Sequence, residues 1–239
     1  MSEPLRYPVP WDLIARLGPD IARGTRADMG KFYQEIVSRM RPGPVYEGLE
    51  HLPESPRFVL AANHYQRRGL WIVHASAAVA CALDRRYSSN PSVRWLVTAN
   101  WPTWRLGGWT IPSPGDLVLP RVAHATGCYA VPFAGSNPAA AARTLRTLVR
   151  DLPGLRCSIG VYPEGAHATA GHLQDPLPGL DRLFLLLARR GWPVVPAGIS
   201  ESDRLIVRFG ATVSVNELTV GSDAGALVMG RIAELCSAR

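Results

Sequence analysis

The sequence predicts an α/β domain, with a central, mostly parallel sheet flanked by helices and a helical segment at the N-terminus. Three observations predict it. From Val45 onward, apolar runs of strand length alternate with longer stretches of helical periodicity. The strand-like runs are largely apolar or built of small residues, so they belong inside a layered fold. No internal repeat or low-complexity segment divides the 239 residues, a length that suits one large domain.

Residues 1–41 form the N-terminal helical segment, and residues 42–239 the α/β domain. In the first part, Trp11, Leu13, Ile14 and Leu17 make one apolar stripe, and Phe32, Ile36, Val37 and Met40 another. Two short helices follow from them. These either pack on the domain or lie in a membrane interface, with Trp11, Arg16, Arg23 and Arg26 as anchors. The segment Arg41-Pro42-Gly43-Pro44 ends this part. Strands are then expected at Val45–Gly48, Arg57–Ala62, Val93–Thr98, Tyr129–Pro132, Ser158–Tyr162 and Pro193–Ile199. Helices are expected after His64, over Ala139–Arg150 and over Leu180–Arg190, and the apolar segments Leu205–Phe209 and Ala224–Leu235 complete the chain. The segment Trp101–Pro120, rich in Trp, Gly and Pro, reads as a structured loop.

Charge narrows the partners. Lys and Arg total 26 against 19 Asp and Glu, giving +7 and a pI near 9.7, and Lys31 is the only lysine. Arginine suits phosphate and carboxylate recognition, because its planar fork donates two parallel hydrogen bonds. No dense basic run with interleaved aromatics is present, so nucleic acid is not expected as a partner. Peripheral contact with an anionic membrane stays open.

Cys81, Cys128, Cys157 and Cys236 stand far apart, without the paired spacing of metal sites, so no metal is expected. The opening residues are polar and proline-rich rather than a charged stub before an apolar run, so a reduced, cytoplasmic protein is expected. The longest apolar stretch, Gly69 to Leu83, has 15 residues where a span needs about 20, and reads as a buried helix.

In open α/β sheets, ligands bind beyond the carboxyl ends of the strands. Two of these ends carry reactive residues. Asn63-His64 follows Phe58–Ala62, and Tyr162-Pro163-Glu164-Gly165 follows Ser158–Val161. A strand-end histidine can act as a general base because its ordinary pKa lies near neutrality. A carboxylate in a Pro-Glu-Gly turn could orient such a base. His167 is an alternative base, while His74, His124 and His172 have no such setting. No Gly-x-Ser-x-Gly or His-x-x-x-His motif occurs, which excludes the common serine-hydrolase and zinc-helix chemistries.

Taken in order, Asn63-His64, Gly127-Cys128-Tyr129-Ala130-Val131, Tyr162-Pro163-Glu164-Gly165 and Val194-Val195-Pro196 resemble the four motifs of the glycerolipid acyltransferase family. The bacterial 1-acylglycerol-3-phosphate acyltransferases typify that family. The resemblance runs from about Pro44 to Val213, and includes the lead-in Tyr46–Pro53 and the run Leu177–Phe184.

The resemblance implies that His64 deprotonates an acceptor hydroxyl, which attacks the thioester of acyl-CoA or acyl carrier protein. No cofactor beyond that co-substrate is implied. Glu164 becomes the supporting catalytic residue. Asn63, Arg67, Arg68, Phe133, Pro163, Gly165 and His167 become candidate substrate-binding residues. Three positions depart from the family pattern. Gly69 stands where the family's Asp orients the histidine, Phe133 where an Arg contacts the acceptor phosphate, and Ala166-His167 where Thr-Arg commonly follows.

The expected function is therefore acyl transfer to a hydroxyl or amine of a lipophilic acceptor, not necessarily lysophosphatidate. Thioester hydrolysis or cyclisation, and non-catalytic acyl or lipid binding on the same fold, are the alternatives.

Overall fold

The computed structural model describes residues 7–88, 93–99, 104–106, 109–111, 114–132, 137–165, 172–220 and 223–238. In chain order its elements begin with α1 (Trp11–Arg16), α2 (Gly18–Arg23), α3 (Met29–Arg39), β1 (Val45–Glu47), β2 (Val59–Ala62) and α4 (Ile72–Tyr87). Next come β3 (Val93–Thr98), β4 (Trp104–Leu106), β5 (Trp109–Ile111), α5 (Pro114–Ala125), β6 (Tyr129–Val131) and α6 (Pro138–Asp151). The chain finishes with β7 (Ser158–Val161), α7 (Leu180–Ala188), β8 (Val194–Glu201), β9 (Leu205–Phe209), α8 (Val215–Val220) and α9 (Ala224–Ser237).

These elements fall into two compact units. One comprises Met1–Pro10, Met29–Val93 and Arg156–Arg239, and the other Trp11–Asp28 and Arg94–Leu155.

In the first unit the strands lie in the order β1-β9-β8-β2-β7. All neighbours run parallel except β8 and β9, which run antiparallel. Every residue of β2 and β7 is buried, as are the first six of β8. Strands covered on both faces need apolar side chains at successive positions, which is why these runs lack a polar alternation. Helix α9 packs on β8, and α3 packs on α4. Helix α4 buries the long apolar stretch as expected, and no helix among the described residues is long and apolar enough to cross a membrane.

In the second unit, β3 and β6 pair in parallel, with Leu96 opposite Tyr129. Helices α5 and α6 pack on β6, and the Thr144 hydroxyl on α6 donates to the Ala130 carbonyl oxygen at 2.7 Å. Helix α6 starts at Pro138 under an Asn137 cap, whose Oδ1 accepts from the Ala140 N–H at 2.9 Å.

The structure corrects two expectations. Where a loop was expected over Trp101–Pro120, β4 and β5 form an antiparallel pair and α5 begins at Pro114. A proline at the first position of a helix lacks only an N–H that would have no partner, so Pro114 starts a helix instead of preventing one. Pro120, inside α5, is an interior helical proline that a breaker rule misreads. The N-terminal part holds three helices rather than two: the stripes fall on α1 and α3, and between them Gly18-Pro19, with the proline in its first turn, starts the separate short helix α2.

Candidate active site

Strand β2 delivers Asn63 and His64. Ala62 is the last residue paired with β8, opposite Ala197. Asn63 then continues the ladder with its side chain. Its Oδ1 accepts from the Ile199 N–H at 2.6 Å, and its Nδ2 donates to the Ile199 carbonyl oxygen at 2.9 Å. A carboxamide has the same donor and acceptor pair as a peptide, so it can extend a sheet by one rung while the main chain turns away. Asn63 is 3% exposed and its amide is committed to β8. Of the candidate substrate-binding residues, it is one whose geometry is that of a positioning group.

Strand β7 delivers the acid. The β2–β7 register places Ala61 opposite Val161, so the turn after β7 emerges beside the turn after β2. The Gly165 N–H donates to the Tyr162 carbonyl oxygen at 3.0 Å and closes that turn. Gly165 has a φ of +61°, and a Cβ there would lie 2.1 Å from Leu177 Cδ1. Only glycine fits under Leu177, whose N–H donates to the Pro163 carbonyl oxygen at 2.9 Å.

Glu164 is thereby held 3% exposed. Its Oε2 accepts the main-chain N–H of His64 at 2.9 Å, and its Oε1 accepts that of Gln174 at 3.2 Å. The sequence expectation placed this carboxylate on the histidine ring. The contact found is instead with the backbone of the histidine turn. The half-buried His64 ring meets Tyr162 edge to face, with centroids 5.1 Å apart and planes at 71°. The Tyr162 hydroxyl shares a 2.7 Å hydrogen bond with Ser76 on α4.

Burial pushes the Glu164 carboxyl above its ordinary value, and the His64 and Gln174 N–H donors pull it back. A folded-state pKa above the unfolded one means that the stability contribution is full below the unfolded pKa and is lost as pH rises through the folded pKa. Glu164→Gln does not titrate. The stability gap between wild type and this variant should therefore narrow as pH rises from about 4 to about 7. Urea unfolding of both proteins at the two pH values checks it, and a widening gap would show the sign to be wrong.

The segment after His64 is a tight turn. Arg67 and Leu70 exchange main-chain hydrogen bonds of 3.1 and 3.0 Å, and Gly69 has a φ of +82°. Positive φ at the third position of such a turn is the type II pattern, which favours glycine. The Gly69 carbonyl oxygen accepts the Tyr7 N–H at 3.0 Å. The residue that replaces the family's Asp is thus part of a backbone that disfavours a side chain. Gly69→Asp should cost about 1–2 kcal/mol and leave any thioester turnover no higher. Thermal unfolding and thiol release measure the two effects.

Arg67 donates through Nε and Nη2 to the Glu201 carboxylate, and through Nη1 to the Arg68 carbonyl oxygen at 2.7 Å. The Tyr65 hydroxyl donates to the same Glu201 at 3.3 Å. The Arg68 side chain is exposed. His74 is a satisfied core residue: Nδ1 accepts from the Trp71 N–H at 3.1 Å and Nε2 donates to the Pro8 carbonyl oxygen at 3.0 Å.

The structure therefore brings together Asn63, His64, Pro163, Glu164 and Gly165, with Tyr162 against the His64 ring. Phe133 and His167 lie outside the described residues. Sequence reasoning missed Tyr65, Ser76 and Glu201. Glu201 had a signal, a lone acid at the end of an apolar run, but the strand was read as ending two residues earlier. Among the described residues no group of three or more His, Cys, Asp or Glu is placed to hold a metal ion.

No protein-family model matches the chain, and no curated protein matches it. Among solved structures it is similar to the crystal structure of the 1-acyl-sn-glycerophosphate (LPA) acyltransferase, PlsC, from Thermotoga maritima. The TM-score is 0.54 at 15% sequence identity, over 86% of this chain and 75% of that one. At that identity the likeness speaks for the fold alone: the chain shares the α/β architecture of that structure.

Proposed function

We propose that this chain is an acyltransferase-like enzyme. It moves an acyl group from an acyl-CoA or acyl carrier protein thioester to a hydroxyl or amine of a lipophilic acceptor. The observation that carries the reading is the convergence of His64 and Glu164 beyond the carboxyl ends of adjacent parallel strands. A half-buried imidazole at such an edge is reachable by substrate and suited to general-base work.

His64 takes the proton of the acceptor O–H as its oxygen forms a bond to the thioester carbonyl carbon. The tetrahedral intermediate then expels the thiolate by C–S cleavage, and the imidazolium returns the proton to sulfur. Glu164 and Asn63 act through the backbone that carries His64. The similarity of the fold to an LPA acyltransferase supports the reaction class, while Gly69 stands where the resembled family has the orienting Asp. The same site could pass the acyl group to water, and the assay separates the two.

Purified protein is incubated with palmitoyl-CoA or an acyl carrier protein thioester, with and without lysophosphatidate or a neutral monoacylglycerol, and free thiol is followed. Release that needs both His64 and an acceptor supports transfer. Release needing His64 but no acceptor identifies a hydrolase. Binding of the thioester without release under any condition overturns catalysis in favour of a carrier role.

A further inference from the structure

Arg67 lies three residues beyond the proposed base, where a cation could grip an anionic acceptor. It is already engaged. Two of its donors meet both oxygens of Glu201, and a third meets the Arg68 carbonyl oxygen. The side chains are 20% and 8% exposed for Arg67 and Glu201. Glu201 also holds the Tyr65 hydroxyl, and burial pushes that phenol up to about 12, so it remains a neutral donor over the working range.

The paired N–H edge that binds this carboxylate is the edge a guanidinium offers to phosphate. A phosphomonoester at the turn would have to displace a carboxylate held by three donors, or sit against its negative charge. Displacement would also leave Glu201 largely buried with only Tyr65 as partner, an expensive state for a charge.

We propose that Glu201 masks Arg67 and so sets the acceptor class: the site takes a neutral alcohol head and discriminates against a phosphomonoester. The proposal rests on the reading of His64 as the base of an acyl transfer. It differs from a purely structural role for the pair, because removing Glu201 should create a capacity rather than only lose stability.

Two measurements test it. With palmitoyl-CoA as donor, wild type should show a kcat/KM for 1-monoacylglycerol at least about tenfold above that for lysophosphatidate. Glu201→Gln should shift that ratio about tenfold toward lysophosphatidate, through a lower KM, and adding Arg67→Gln should abolish the shift. Independently of turnover, calorimetry with glycerol 3-phosphate should detect binding to Glu201→Gln but not to wild type or to the Arg67→Gln/Glu201→Gln pair.

The double variant removes both charges together, so it keeps the test alive where Glu201→Gln does not fold. A double variant that retains the wild-type acceptor ratio supports masking. One that has lost lysophosphatidate use shows that Arg67 already grips phosphate, and overturns the proposal. So does a wild type that prefers lysophosphatidate. Thiol release unchanged by His64→Ala would instead overturn the base assignment, and the calorimetric result would stand apart from it.

Discussion

Replacing His64 by Ala should lower acceptor-dependent thiol release by about 10³-fold, within the 10²–10⁴ range that a positioned general base contributes. The loss should fall on kcat, since the ring acts on the proton in flight and holds no remote part of the substrate. The same variant should unfold within about 1 kcal/mol of wild type. Its ring is half-buried against the edge of Tyr162, and the main-chain bond to Glu164 does not depend on the side chain. Wild-type turnover itself should be modest. Disabling the carboxylate of a Ser-His-Asp triad costs about 10⁴ in kcat, and Gly69 offers no carboxylate here. A His64→Ala protein as active as wild type would remove the histidine from the chemistry.

Asn63→Ala should be the most damaging substitution for stability, at about 2–4 kcal/mol, because it strands two main-chain groups at once. The Ile199 N–H and carbonyl oxygen both face the Asn63 amide, and Ile199 is 1% exposed, so water cannot readily replace either bond. Asn63→Asp should fail to rescue. It keeps the volume and one acceptor, but sets a carboxylate oxygen against the Ile199 carbonyl oxygen in place of a donor. Chemical unfolding gives the stability. Hydrogen exchange at Ile199 locates the effect, and protection there as strong as in wild type would contradict the clamp. Because the clamp fixes where the chain leaves β2, the variant should also lose turnover out of proportion to its stability at temperatures where it remains folded.

Much of the fold was legible because buried parallel strands leave a strong trace. Val59–Ala62, Ser158–Val161 and Val194–Glu201 fall where short apolar runs predicted strands, and α4, α6 and α7 fall on the stretches read as helices. The region around Trp104 to Pro120 was read wrongly for a local reason: proline is a breaker inside a helix and a starter at its first position, and composition cannot tell which. Helix α8 went unseen because six residues are too few to establish a period.

The sequence by itself determined the reactive inventory: a histidine after one strand, a Pro-Glu-Gly turn after another, and Gly69 where an orienting acid would stand. Those are statements about residue types and order, and covalent sequence holds them without help. Only the tertiary structure decided what each polar group is attached to. Strand register put Val161 opposite Ala61, and that alignment delivered the Glu164 carboxylate to the His64 N–H. Two turns a hundred residues apart in the chain meet only through such pairing. The same holds for Arg67, which sequence offers as a substrate-binding cation beside His64 and the fold shows as the partner of Glu201. A charge belongs to its residue, but its availability depends on what lies within hydrogen-bonding reach, and distance is a property of the folded chain.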